Sequence, residues 1–125
     1  PCIMALGKIK ADTLEHSTSG SVDTKFVVEG SAKHWTRYDQ TGPTIDSSLN
    51  TSSIEDTSTG KATVNISSAF SSVGAYSTSG SKNATTYNFT ISPVSASQYI
   101  MYNRNDAGSY DDPSKESSQA VGDLA

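Results

Sequence analysis

Few residues in this chain are of a type and spacing that could do chemistry. Asp12, Glu15, His16 and Asp23 could ligate a metal together. Their spacing matches no known metal cage, however, and one histidine is not a cluster. Asp106, Asp111, Asp112 and Glu116 surround Gly108 and resemble a loose Ca²⁺ loop. They lack the twelve-residue Asp-x-Asp-x-Asp-Gly pattern that such a loop needs. The same carboxylates could supply a glycosidase pair, but nothing in their spacing sets an acid against a nucleophile. Serine is abundant, yet no Gly-x-Ser-x-Gly elbow occurs. The expectation is therefore a non-enzymatic chain with no catalytic residues, no cofactor and no metal.

Other side chains point to recognition. His34 beside Trp35 reads either as a pH-sensitive interface group or, more simply, as a histidine on a strand surface. Tyr87, Tyr99, Tyr102 and Tyr110 could stack on sugars, although alternating aromatics more often serve core and interface. Of these, Tyr99, Tyr102 and Tyr110 are the candidate glycan contacts. Glycosylation sequons stand at Asn50, Asn65, Asn83 and Asn88. Several are expected by chance in a chain so rich in Ser and Thr.

The elements that must position these groups follow from composition. With 125 residues there is room for one domain. Ser and Thr together make up roughly 30% of the chain, well above ordinary usage. Such residues bond their own backbone or lose rotamer freedom in helices, and they fit pleated surfaces and turns. The net charge is −4 and the basic residues are scattered, so a phosphate backbone finds no stripe to bind. No apolar run approaches the ~20 residues of a membrane span. A single cysteine, Cys2, excludes an intramolecular disulfide. Residues 1–6 are too short for a signal-peptide core, and Met4 reads as a natural start.

Along the chain, residues 1–24 are polar and read as an extended N-terminal arm or lead-in strand. Residues 25–125 read as a single β domain. Strands are expected at Lys25–Glu29, Ala32–Tyr38, Tyr87–Ile91 and Gln98–Tyr102. Between them, Thr51–Glu55 and Lys61–Ser67 form a hairpin around Asp56-Thr57-Ser58-Thr59-Gly60, with Ile54, Val64 and Ile66 inward. Short strands with turn signals about every ten residues suggest an antiparallel sandwich or small barrel. The fold class expected is all-β, an antiparallel, jelly-roll-like β-sandwich with an extended N-terminal arm. Its expected core or interface comprises Phe26, Val28, Trp35, Ile54, Val64, Ile66, Phe89 and Ile91, with Phe70, Tyr76 and Ile100 added to the core. Trp35 is expected to be its buried anchor. That inventory is thin for the length, so association with other copies is expected to supplement it.

Two stretches carry a resemblance. Ala32-Lys33-His34-Trp35-Thr36-Arg37-Tyr38-Asp39-Gln40-Thr41-Gly42 is followed by Asn50-Thr51-Ser52-Ser53-Ile54-Glu55-Asp56-Thr57-Ser58-Thr59-Gly60-Lys61-Ala62-Thr63-Val64-Asn65-Ile66. Together they resemble a module of bacteriophage virion proteins, found in tail fibres and appendages of marine and cyanobacterial tailed phages. The lead-in Lys10–Ser21 and the ending Gly122–Ala125 are similar to the ends of short proteins in that group. The chain departs from the pattern at His34, where a small residue is usual, and at Gln40, where Gly is usual. The resemblance implies a structural subunit of a tail fibre or similar appendage, located in the virion and released on lysis. Its implied partners are copies of itself (a trimer by analogy with three-fold fibres) and other virion proteins. Alternatives are a capsid decoration or head-fibre protein, or a module that binds a carbohydrate receptor on the host surface.

Overall fold

The computed structural model describes residues 7, 9–83 and 88–125. Cys2, Met4 and Tyr87 lie outside the described residues. The protein is an all-β sandwich of two antiparallel four-stranded sheets, preceded by a small hairpin and a short helix.

The lead-in is folded rather than extended. β1 (Thr13–His16) pairs with β2 (Gly20–Asp23), Leu14 lying opposite Val22. His16 Nδ1 accepts the Thr18 and Ser19 N–H groups at 3.3 and 3.1 Å, which closes the turn. Gly20 sits at φ 88°, where a side chain would be strained. Thr24 then ties the hairpin's open end, its hydroxyl donating to the Ala11 carbonyl at 2.6 Å.

The strand expected over Lys25–Glu29 is helix α1 (Thr24–Gly30). Phe26 and Val28 were expected in the core, but Phe26 is 63% exposed and Val28 is exposed as well. A β-branched run favours a strand only where a neighbouring edge pairs with it and a core covers one face. Here the segment pairs with no strand and none of its residues is buried, and Ser31 ends the turn locally with N–H and Oγ–H bonds to the Val27 carbonyl.

The first sheet has the order β4 (Thr44–Leu49), β3 (Ala32–Asp39), β10 (Glu116–Gly122), β7 (Tyr76–Lys82). The second runs β5 (Thr51–Ser58), β6 (Lys61–Ile66), β9 (Gln98–Asn103), β8 (Phe89–Ser95). The first and last strands of the sandwich, β3 and β10, are neighbours, as in a jelly roll. The pairs β3–β4, β5–β6 and β8–β9 remain hairpins within a sheet. Pro93 is tolerated because β8 is an edge strand.

The β5–β6 hairpin has Ile54 opposite Val64, and Val64 and Ile66 are buried. Tyr38, Ala62, Phe70, Tyr76, Tyr99, Met101 and Ala120 complete the buried cluster, with Ile54, Phe89 and Ile91 packed against it. Phe70 stacks on Tyr76 at 4.5 Å between centroids. Ile100 is only half-buried, because Val64 faces inward and its cross-strand partner is Tyr99, which places Tyr99 and Met101 inside instead.

Trp35 does not anchor the core; it lies on the outer face, 38% exposed. Strand alternation binds Trp35 to the same face as Lys33 and Arg37, and His34, Thr36 and Tyr38 to the other. Burying an indole gains ~2–3 kcal/mol, whereas an unpaired buried cation costs several. The cations decide the face.

The crossover from β4 to β5 turns on Asn50, which holds φ 59°. Its amide donates to the Lys33 and Ser68 carbonyls at 3.1 Å each, and its Oδ1 accepts the Ser68 N–H at 2.6 Å. Asn50→Ala should lower stability by about 2–4 kcal/mol, combining left-handed strain with the lost bonds. Asn50→Gly should relieve the strain and keep the bond deficit, giving a smaller loss. Urea unfolding of the two variants checks the order; equal losses would count against the strain component.

Candidate functional site

Most of the ionisable and amide groups that sequence reasoning missed lie between the sheets. Inward positions on β3, β9 and β10 carry His34, Thr36, Tyr38, Tyr99, Asn103, Glu116 and Ser118, all buried. No apolar contrast along Glu116-Ser117-Ser118-Gln119-Ala120-Val121 reveals which set faces in. The face opposite Lys33 and Arg37 was the one available signal.

His34 is neither on the surface nor at an edge; its exposure is 0%. Its ring meets Tyr99 edge-on at 5.5 Å and 87°. Nε2 lies 2.9 Å from the Thr51 hydroxyl and Nδ1 3.4 Å from the Tyr99 hydroxyl. The Tyr99 hydroxyl also shares a 2.6 Å bond with Ser118 Oγ. Burial disfavours the imidazolium and pushes His34 down to about 4. Tyr99 is thus a core residue, not a glycan contact, and burial raises its phenol above the usual range.

A second polar row runs from a turn to the centre. The Gly60 N–H donates to Asp112 Oδ1 at 2.5 Å, and Gln40 Nε2 donates to the same oxygen at 3.0 Å. Asn103 Nδ2 donates to Gln40 Oε1 at 3.3 Å and also to Glu116 Oε1. Glu116, expected in a surface loop, begins β10 and is 1% exposed. Burial pushes it up to about 7, against the Tyr38 hydroxyl, the Asn103 amide and the Lys82 ammonium, which favour its charged form. Its Oε2 has no hydrogen-bond partner among the described residues. A substrate could touch neither Glu116 nor His34 without opening the sandwich.

The other sequence candidates do not converge. Asp112 is committed to Gly60 and Gln40, Glu116 is inside, and Asp106 is exposed in its loop. His16 is occupied by its own turn. Among the described residues no three His, Cys, Asp or Glu side chains come together as a metal site. Tyr110 is exposed, but its ring lies 5.3 Å from Lys61 Nζ and 4.5 Å from Arg104 Cζ. Lys61 also approaches the half-buried Tyr102 at 5.6 Å. These two rings are engaged by cations from their own chain.

Exposed apolar side chains gather instead on the lead-in. Ile9, Leu14, Val22, Phe26, Val27 and Val28 are all exposed, and no residue of α1 is buried. Leu14, Val27 and Val28 line an open groove with Ala11 and the stems of neighbouring polar residues.

The paired shifts of Glu116 and His34 make a pH prediction. Glu116 is raised, so its contribution to stability is present below its unfolded value of 4.5 and lost as pH rises through about 7. His34 is lowered, so its contribution is present above 6.5 and lost as pH falls through about 4. Between pH 4.5 and 6.5 the slopes oppose each other, one proton sitting on Glu116 when folded and on His34 when unfolded. Glu116→Gln should remove one slope and leave stability rising over that window by up to about 3 kcal/mol relative to the parent. Urea midpoints measured across the window check it; parallel parent and variant profiles would contradict the assignment.

Compared with known proteins, the chain matches no family model, no curated protein and no solved structure.

Proposed function

We propose that this chain is a non-enzymatic structural subunit of a phage virion, built into a tail fibre or similar appendage and working by self-assembly and docking to other virion chains. The observation that carries this reading is the lead-in, whose apolar residues Ile9, Leu14, Val22, Phe26, Val27 and Val28 all remain exposed in the single chain. An apolar surface of this kind, ordered by a hairpin and a helix rather than left as coil, suits burial against another chain. The β-sandwich and the resemblance of the Trp35-to-Ile66 region to phage appendage modules support the virion setting. Three copies are favoured by analogy with three-fold fibres. A capsid decoration role would use the same surface, and copy number in an intact particle separates the two.

Light scattering of the purified chain tests the assembly step. It should report an oligomer at micromolar concentration, and the double variant Phe26→Asp, Val28→Asp should dissociate it. Both positions are exposed in the single chain, so circular dichroism should be unchanged. A parent that stays monomeric at these concentrations would overturn the reading.

A further inference from the structure

The outer face of the first sheet carries an open groove of about 540 Å³ beside Trp35. Register builds it from two cross-strand rows. Gln119 lies opposite Trp35, with Ser79 beyond it; Ser117 lies opposite Arg37, with Ser81 beyond it. On the other side of Trp35 stands the exposed Leu49 of β4. The short serines leave the indole and the long Arg37 and Gln119 chains as walls above a hydroxyl-lined floor.

The long polar side chains of this groove, Arg37 and Gln119, are both exposed and open to a ligand. The Gln119 amide makes no side-chain hydrogen bond to another described residue. Arg37 meets Asp46 at 3.7 Å through Nε, and its other guanidinium donors make no hydrogen bond to a described residue. Asp46 is shared, lying 2.7 Å from Lys115 Nζ and 3.7 Å from Arg37 Nε, and Asp39 stands 3.8 Å from the same lysine, so two carboxylates answer two cations and this edge of the groove is close to neutral. A purely apolar ligand would strand Arg37 and Gln119 without partners. A polyanion would find Arg37 and Lys115 already facing Asp46 and Asp39, on a chain of net charge −4. The combination left is an uncharged ligand with an apolar face and a rim of hydroxyls.

We propose that this groove binds a neutral oligosaccharide, with the C–H face of one pyranose ring on Trp35 and its hydroxyls bonded to Arg37, Gln119 and the serines. The site is on the sandwich itself and does not rest on the assembly reading above. It also differs from the tyrosines expected from sequence, one of which is buried while the other two are engaged by cations.

Trp35 is the only tryptophan, so its fluorescence reports on the site directly. The full chain is titrated with maltotriose, cellotriose and mannotriose, and with trigalacturonate as an acidic counterpart. At least one neutral trisaccharide should change the emission saturably at up to about 10 mM, the weak range expected of a shallow open site. Gln119→Ala should weaken that binding about tenfold. Trp35→Ala, followed by calorimetry, should abolish it while leaving the circular dichroism intact. If Trp35→Ala does not fold, Gln119→Ala and Arg37→Ala carry the test. Saturation by trigalacturonate alone, no saturable change with any neutral trisaccharide, or undiminished binding by every folded variant would overturn the proposal.

Discussion

A single backbone donor at a glycine turn sets the direction of the polar row that crosses the core. The Gly60 N–H can only donate, so Asp112 Oδ1 accepts from it, and Gln40 must present its nitrogen to that same oxygen. Gln40 then faces Asn103 with its carbonyl, and Asn103 must answer with its amide nitrogen. The same NH₂ reaches Glu116, leaving Asn103 Oδ1 unpaired. Gly60 holds φ 71°, and a Cβ there would stand 2.5 Å from the Asn103 carbonyl oxygen. Only glycine lets the β5–β6 turn sit down on the 103–112 loop. In a low-dielectric interior each of these bonds is strong when made and costly when missing. The relative placement of the two sheets is accordingly specified by polar groups as much as by the apolar cluster.

That arrangement explains why the Glu116 carboxyl is pushed up to about 7. The row delivers one donor to its carboxyl, and Oε2 receives none. A carboxylate there would be desolvated with too few hydrogen bonds, whereas a carboxylic acid leaves less charge unanswered. His34 answers the same constraint with the opposite chemistry. It sheds its proton and stays neutral between Thr51 and Tyr99. Both buried titratable side chains are thus shifted toward their neutral forms.

How much of this was legible depends on contrast between strand faces. The β5–β6 hairpin could be read because Ala62, Val64 and Ile66 alternate with polar residues around a glycine-closed turn. Strands β4, β7 and β10 could not, since Thr44–Leu49 and Glu116–Gly122 carry serine on both faces and Tyr76–Lys82 sets Ser77, Ser79 and Ser81 against only the small Thr78 and Gly80 at its centre. The pairing of β7 and β10 is decided by neighbours distant in sequence, Ser118 lying between Thr36 and Gly80. Phe26 and Val28 misled because their β-branched neighbourhood suggests a strand, while in the fold the segment pairs with no strand and buries none of its residues. For the polar core, residue type misdirected: Glu116 and His34 belong to classes normally found at the surface.

Trp35 connects these two kinds of residue. On β3 the choice of face is made for the whole strand at once, since a slip of one residue exchanges every side chain. Turning Trp35 inward would carry Lys33 and Arg37 with it and expel Tyr38, which is fully buried and whose hydroxyl lies 3.2 Å from Met101 Sδ. The polar interior built around Glu116 and His34 therefore requires an exposed indole on the opposite face. There it stands beside Gln119, whose outward position is fixed by the same alternation that sends Ser118 and Glu116 inside. The groove is a geometric consequence of the core, and a change that disturbed the polar row would be felt on the outer face as well.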